Sequence, residues 1–230
     1  MFVRGVPPET TYTFKHALVQ EAAYESLLKR TRQQLHSRVV DVLVAEFPER
    51  VAAEPEVVAR HAEVAGRTDD AIACYQRAGE HAQARSAHGE ASAQFKRAIA
   101  QLTSQPEGHE RDKREVPLQL ALGASLVAAR GFAHAETATA YERARELAEG
   151  GGEATHTALT RIALSVLYIS RGDPERGRAL AVEVLAQAEV RSDAEEALSG
   201  HTQVAAAKLY QGQFASSLAH AERALTLYDP

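Results

Sequence analysis

The chain has 230 residues, 45% of them hydrophobic and 25% charged, with a formal net charge of −5. Acids and bases alternate along its length, which argues against the basic stripe of a nucleic-acid grip and the polybasic face of an anionic-membrane binder. Its one cysteine, Cys74, rules out an internal disulfide and a thiolate metal cage.

The N-terminal stretch M-F-V-R-G-V-P-P-E-T has no apolar run of signal-peptide length, and no run of about 20 apolar residues follows it, so a cytoplasmic chain is expected. Residues 1–11 read as a loop, held extended by Pro7-Pro8. Tyr12-Thr13-Phe14 alternates like one short strand with no partner in view. Lys15 to Leu28 is predicted as a helix, with Leu18, Ala22, Tyr24, Leu27 and Leu28 in a broad apolar stripe. Thr31 to Phe47 is a second helix, because Leu35, Val39, Val42, Leu43 and Phe47 recur at three and four. Pro48 and Pro55 bracket a connection. Helices are predicted over 56–65, 69–86 and 89–102, with His88-Gly89 as the break between the last two. Thr103 to Lys113 is polar, contains Pro106 and Gly108, and reads as a linker. Val116 to Ala129 and His134 to Glu149 form a hairpin, and Gly150-Gly151-Gly152 is a flexible joint. Two more hairpins follow, with a polar turn near Ser192-Asp193 between them.

Four glycines organise these elements. Gly66, Gly131, Gly172 and Gly212 each stand between two apolar-periodic segments, and glycine ends a helix at little steric cost. Ala71-x-x-x-Tyr75-x-x-Ala78 after Gly66 has the small-aromatic-small spacing of the second helix of a tetratricopeptide hairpin. The last three turn glycines are about 40 residues apart, longer than the usual ~34, so longer helices or longer connections are expected. Ser165 and Ala205 stand where the pattern prefers glycine. The expected fold class is all-α: a tetratricopeptide-like α-solenoid of stacked hairpins, preceded by the remnant of a winged-helix domain. The expected regions are 1–50 (winged-helix end), 51–104 (hairpins), 105–115 (linker) and 116–230 (hairpins with the glycine joint).

Catalytic chemistry is not expected. The ten histidines include no H-E-x-x-H and no i, i+4 pair, and His81 and His88 lack a third ligand nearby. Ser165, Ser170 and Ser217 lie outside any nucleophile elbow. No G-x-x-x-x-G-K-[ST] loop cradles a phosphate. The chain is therefore expected to be non-enzymatic and to need no cofactor. Its informative surface is the first helix of each late hairpin. By helical phase this presents Leu159, Ile162, Val166 and Ile169, then Thr202, Ala206 and Leu209. These residues either pack on the next helix or line a groove for an amphipathic or apolar segment of a protein or peptide partner, including absent parts of the same polypeptide.

Tyr12 to Leu28, Y-T-F-K-H-A-L-V-Q-E-A-A-Y-E-S-L-L, resembles the end of the winged-helix part of STAND-class signal-transduction ATPases. It is most similar to the bacterial ATPases associated with class III adenylate/guanylate cyclase domains. There a Phe-x-His-x-Leu-x-x-Glu helix precedes an Arg/His-rich helix, matched here by Arg32, Leu35, His36 and Arg38, and then tetratricopeptide-like repeats. Gly200-His201, Gly212-Gln213-Phe214 and Leu227-Tyr228-Asp229-Pro230 fit the same pattern, so the resemblance spans most of the chain. It implies a nucleotide-phosphate sensor at His16, the histidine of a Met-His-Asp motif, with Ala17 standing where the aspartate would be. A histidine in the first turn of a helix lies beside free backbone N–H groups, which favours a phosphate. The expected function is the interaction or sensor region of a multidomain signalling ATPase. A free-standing tetratricopeptide adaptor and the middle region of a large LuxR-like regulator are the alternatives. An unpartnered strand and an uncapped end at Pro230 are expected of a fragment, and Met1 of a complete chain.

Overall fold

The computed structural model describes residues 2–4, 11–13, 16–150 and 154–228. Twelve helices and two three-residue strands make up these residues, in the order β1 (Phe2–Arg4), β2 (Thr11–Thr13), α1 (Ala17–Glu25), α2 (Lys29–Glu46), α3 (Pro48–Ala53), α4 (Pro55–Ala65), α5 (Thr68–Ala84), α6 (His88–Thr103), α7 (His109–Arg130), α8 (Ala135–Glu149), α9 (Ala154–Ser170), α10 (Pro174–Arg191), α11 (Ala194–Tyr210) and α12 (Phe214–Leu227). The fold is all-α and solenoid-like, as expected. Two compact units divide it, Met1–Cys74 and Tyr75–Pro230. The boundary falls inside α5, so the expected hairpin region 51–104 is shared between the two units.

In the first unit the lone strand has a partner after all. β1 and β2 pair antiparallel, with Val3 opposite Tyr12. The loop expected over 1–11 therefore contains a strand, and the expected strand lies one residue earlier than 12–14. α2 packs on α3 and α4. Its Val40, 1% exposed, shares the core with Val51, Val58, Ala59 and Ala62. The segment between Pro48 and Pro55 is a short helix rather than a plain connection. Each proline sits in the first turn of a helix, where its missing N–H costs nothing. α1 stops at Glu25, three residues short of the expected end, and buries none of its residues.

In the second unit the helices from α6 to α12 pack each on the next in the chain, with α9 also meeting α7 and α11. α7, α9 and α11 thus share a layer. Two clusters fill the middle of the unit. Val116, Ala144, Leu147 and Ala148 form one, and Tyr141, Leu164, Leu167 and Tyr168 the other. α7 begins at His109, so the expected linker shrinks to the few residues before it. Pro117 costs this helix one backbone bond. The acids Glu110 and Asp112 in its first turn, together with buried Val116 and Leu118, offset that loss. Gly150 caps α8, and the rest of the expected joint, Gly151 and Gly152, lies outside the described residues.

The 40-residue interval between Gly172 and Gly212 has a simple structural cause. Gly66, Ser86, Gly172, Ser192 and Gly212 all have positive φ. After each, the next backbone N–H donates to a carbonyl five residues back: Arg67 to Ala62, Ala87 to Ala82, Asp173 to Tyr168, Asp193 to Ala188 and Gln213 to Lys208, at 2.8 to 3.0 Å. This is the Schellman closure. The left-handed residues therefore recur every 20 positions within each run, one helix apart. Glycine marks only three of these turns and serine marks the other two. The break between α5 and α6 consequently falls at Ser86-Ala87, two residues before the expected His88-Gly89. Asp173 and Asp193 then start the next helices, their carboxylates accepting from the N–H of Arg176 and Glu196.

Candidate functional site

The expected groove residues do not form one continuous surface. Leu159 is 52% exposed and Ile162 half-buried, and both line a cavity of about 190 Å³ with Ala158, Val184, Glu196 and Ser199. Thr202 lines a separate concavity of about 350 Å³, walled by Leu198 and Ala205 on α11 and by Ala221, Leu225 and Tyr228 on the α12 side. Val166 and Ala206 are half-buried, and Leu209 is exposed. Ile169 departs from the expectation of a groove residue. It is 5% exposed, and α10 approaches it so closely that a Cβ on Gly177 would lie 2.6 Å from its Cγ1. Ile169 is core between α9 and α10. Helical spacing put it in the stripe of Leu159, but α10 packs on the C-terminal end of α9 at Gly177 and covers it there.

The second concavity is strongly apolar. Of its lining, Leu225 and Tyr228 are more than half exposed, as are Leu209, Tyr210, Phe214 and Leu218 elsewhere on α11 and α12. Isolated exposed apolar residues are ordinary, but an apolar concavity that leaves large side chains open to solvent is the mark of a contact surface. A polar network lies elsewhere in the unit, on α8, α9 and α10. The Tyr168 hydroxyl donates to Glu142, which also pairs with Arg145 and Arg176. Arg176 lies over the Tyr168 ring, 4.0 Å from its centre. Burial and the bond to Glu142 push the Tyr168 hydroxyl up to about 12. Nearby, buried Glu115 accepts from Gln119 and from Arg143, each at 3.0 Å. Both bonds fall on one carboxylate oxygen, and the other, Oε2, is buried without a partner.

In the first unit, His16 precedes α1 as its N-cap, with an extended backbone and an exposed ring that makes no capping bond. A cavity of about 660 Å³ runs along α1 past Ala17, Gln20, Tyr24 and Leu27. Leu18 and Leu28, both from the expected apolar stripe, are more than three-quarters exposed.

The sequence reading missed two histidine pairs. His36 on α2 meets His61 on α4, Nδ1 to Nδ1 at 2.9 Å, and the Tyr24 hydroxyl lies 3.0 Å from the other nitrogen of His36. His201 on α11 meets His220 on α12 in the same way, at the same distance. The partners are 25 and 19 residues apart, so a search at helical spacing passes over them. The second pair is legible only once the hairpin register about Gly212 is fixed. Among the described residues, no group of three or more His, Cys, Asp or Glu is placed to hold a metal ion. No described helix is long and apolar enough to cross a membrane.

Comparison with known proteins gives relatives without a function. No family model matches the chain. An uncharacterized protein of Rhizobium meliloti (strain 1021) is 29% identical over 143 residues, which are 62% of this chain and 14% of that protein. The chain thus matches only a small part of a much longer relative. Among solved structures, the crystal structure of BtubC (BKLC) from P. vanneervenii is 17% identical, with a TM-score of 0.59 over 89% of this chain and 95% of that one. At that identity the likeness shows the fold alone.

Proposed function

We propose that this chain is the non-catalytic protein-interaction and sensor region of a multidomain signal-transduction ATPase of the STAND class, with tetratricopeptide-like hairpins that receive a protein or peptide. The observation that carries the interaction role is the apolar concavity walled by α11 and α12, whose Leu225 and Tyr228 are more than half exposed. An apolar groove between helices takes an amphipathic helix through its i, i+3, i+4 anchors. The multidomain setting draws support from the relative of which this chain spans 14%, and from the likeness of Tyr12 to Leu28 to the end of a winged-helix domain. In that setting His16, exposed at the start of α1, faces nucleotide supplied by another part of the protein. Binding in the groove would then bias a nucleotide-driven switch through the difference in affinity between its two states.

The coding sequence upstream of Met1 tests the setting. An open frame encoding G-x-x-x-x-G-K-[ST] supports the ATPase reading. A stop codon and ribosome-binding site directly before Met1 refute it and leave a free-standing adaptor.

A further inference from the structure

The His201–His220 contact joins the two walls of the apolar concavity. His201 precedes Thr202, and His220 precedes Ala221, both of which line it. The two nitrogens are 2.9 Å apart and the ring centres 5.2 Å apart. Each Nδ1 therefore lies close to the line between the rings and points along it. That head-on approach suits an N–H···N hydrogen bond. Two imidazoles sharing a metal ion would instead converge at an angle on the ion, and no third ligand stands by among the described residues.

A neutral imidazole has one N–H and one lone pair. One ring must therefore donate from Nδ1 and the other must accept there. A first added proton goes to the outer nitrogen of the donor ring and leaves the bond in place, now charge-assisted. A second has only the accepting Nδ1 to occupy. Both nitrogens then carry hydrogen and positive charge, and the contact cannot persist. We infer that the His201–His220 pair is a proton-operated latch that holds α11 against α12 and releases when both rings are charged. The latch belongs to the hairpin itself and stands whether or not the concavity receives a partner.

The surroundings keep the latch closed at neutral pH and place its release below the ordinary histidine range. Burial lowers the proton affinity of both rings. The charge of His220 and Arg223 on α12 adds to this at His201, and Lys208 on α11 at His220, while Glu189 on α10 opposes it at His201. The same Nδ1-to-Nδ1 contact between His36 and His61 shows that the arrangement is used twice in the chain.

Nitrogen-detected NMR of the imidazoles in the whole chain tests the latch. At about pH 7.5 one of the two rings should carry its proton on Nδ1, a minority form for free histidine, and the other on Nε2. Between about pH 7.5 and pH 5, α12 amide exchange, corrected for its intrinsic rate, should rise about tenfold or more. His201→Asn supplies the control. An asparagine amide reaches the position of Nδ1 and can present either its NH2 or its oxygen, so it serves both protonation states of His220. In that variant the extra exchange at low pH should vanish while the fold persists. Two rings both in the Nε2–H form at pH 7.5 would overturn the latch. So would an exchange rise undiminished in His201→Asn, or stoichiometric uptake of Zn2+ by the pair.

Discussion

Gly123 on α7 is where the packing leaves least room. A Cβ built there would lie 2.2 Å from Cε1, 2.6 Å from Cδ1 and 2.7 Å from Cζ of Tyr141 on α8. Carbon atoms pack at about 3.5–4.0 Å, so Gly123→Ala must displace the ring or α7 by more than about 1 Å. The ring has little freedom to yield. Tyr141 is 6% exposed and held in a cluster with Leu164, Leu167 and Tyr168. Overpacking a filled core costs about 1–3 kcal/mol. Alanine returns up to about 1 kcal/mol of helix propensity. The expected net loss is about 1–2 kcal/mol, and in a chain of this size each kcal/mol lowers Tm by about 2–4 °C. Thermal and urea unfolding followed by circular dichroism measure both. Tyr141→Leu removes the obstructing ring, so Gly123→Ala made in that background should become neutral or stabilising, and the cycle isolates the clash. An unchanged or raised Tm for Gly123→Ala in the native background would refute the close-approach argument.

The remaining predictions concern turns, groove and pH. Ser192 holds a left-handed backbone that a side chain disfavours, so Ser192→Gly should gain about 1 kcal/mol, and Gly172→Ala should lose about as much in urea unfolding. Ile169→Asp places a carboxylate in the α9–α10 core and should abolish cooperative unfolding, whereas Leu159→Asp, half exposed, should change stability by no more than about 0.5 kcal/mol. His36 is held below the ordinary histidine range by burial. His61 is held down by burial and by the charge of His36 and Arg60. Below about pH 6.5 the unfolded chain then binds more protons than the folded one, so stability present at neutral pH is lost as the pH falls from 6.5 towards the lowered folded values. Urea midpoints from about pH 7.5 to 5 should show this loss, and it should shrink in His61→Asn.

Local sequence was enough for the helices and most of their ends. Apolar recurrence at three and four marked α2 and α4 through α12, because a short helix must bury one face to persist. Gly66, Gly131, Gly172 and Gly212 marked four turns, since glycine alone adopts positive φ without strain. The serines at 86 and 192 carried no such signal. The Schellman bonds around them, rather than any preference of serine, hold that conformation. The β1–β2 pairing was likewise invisible: alternation marked a strand near Tyr12, but nothing in Phe2–Arg4 marked its partner. Tertiary structure alone decided what lies on the surface. Leu159 and Ile169 fall in one stripe read from helical spacing on α9, yet Gly177 of α10 packs on the second while the first stays half exposed. It also brought His201 to His220, and His36 to His61. Pairs 19 and 25 residues apart meet only when two helices dock in one register, and that register is set by packing across the helices, which no local pattern encodes.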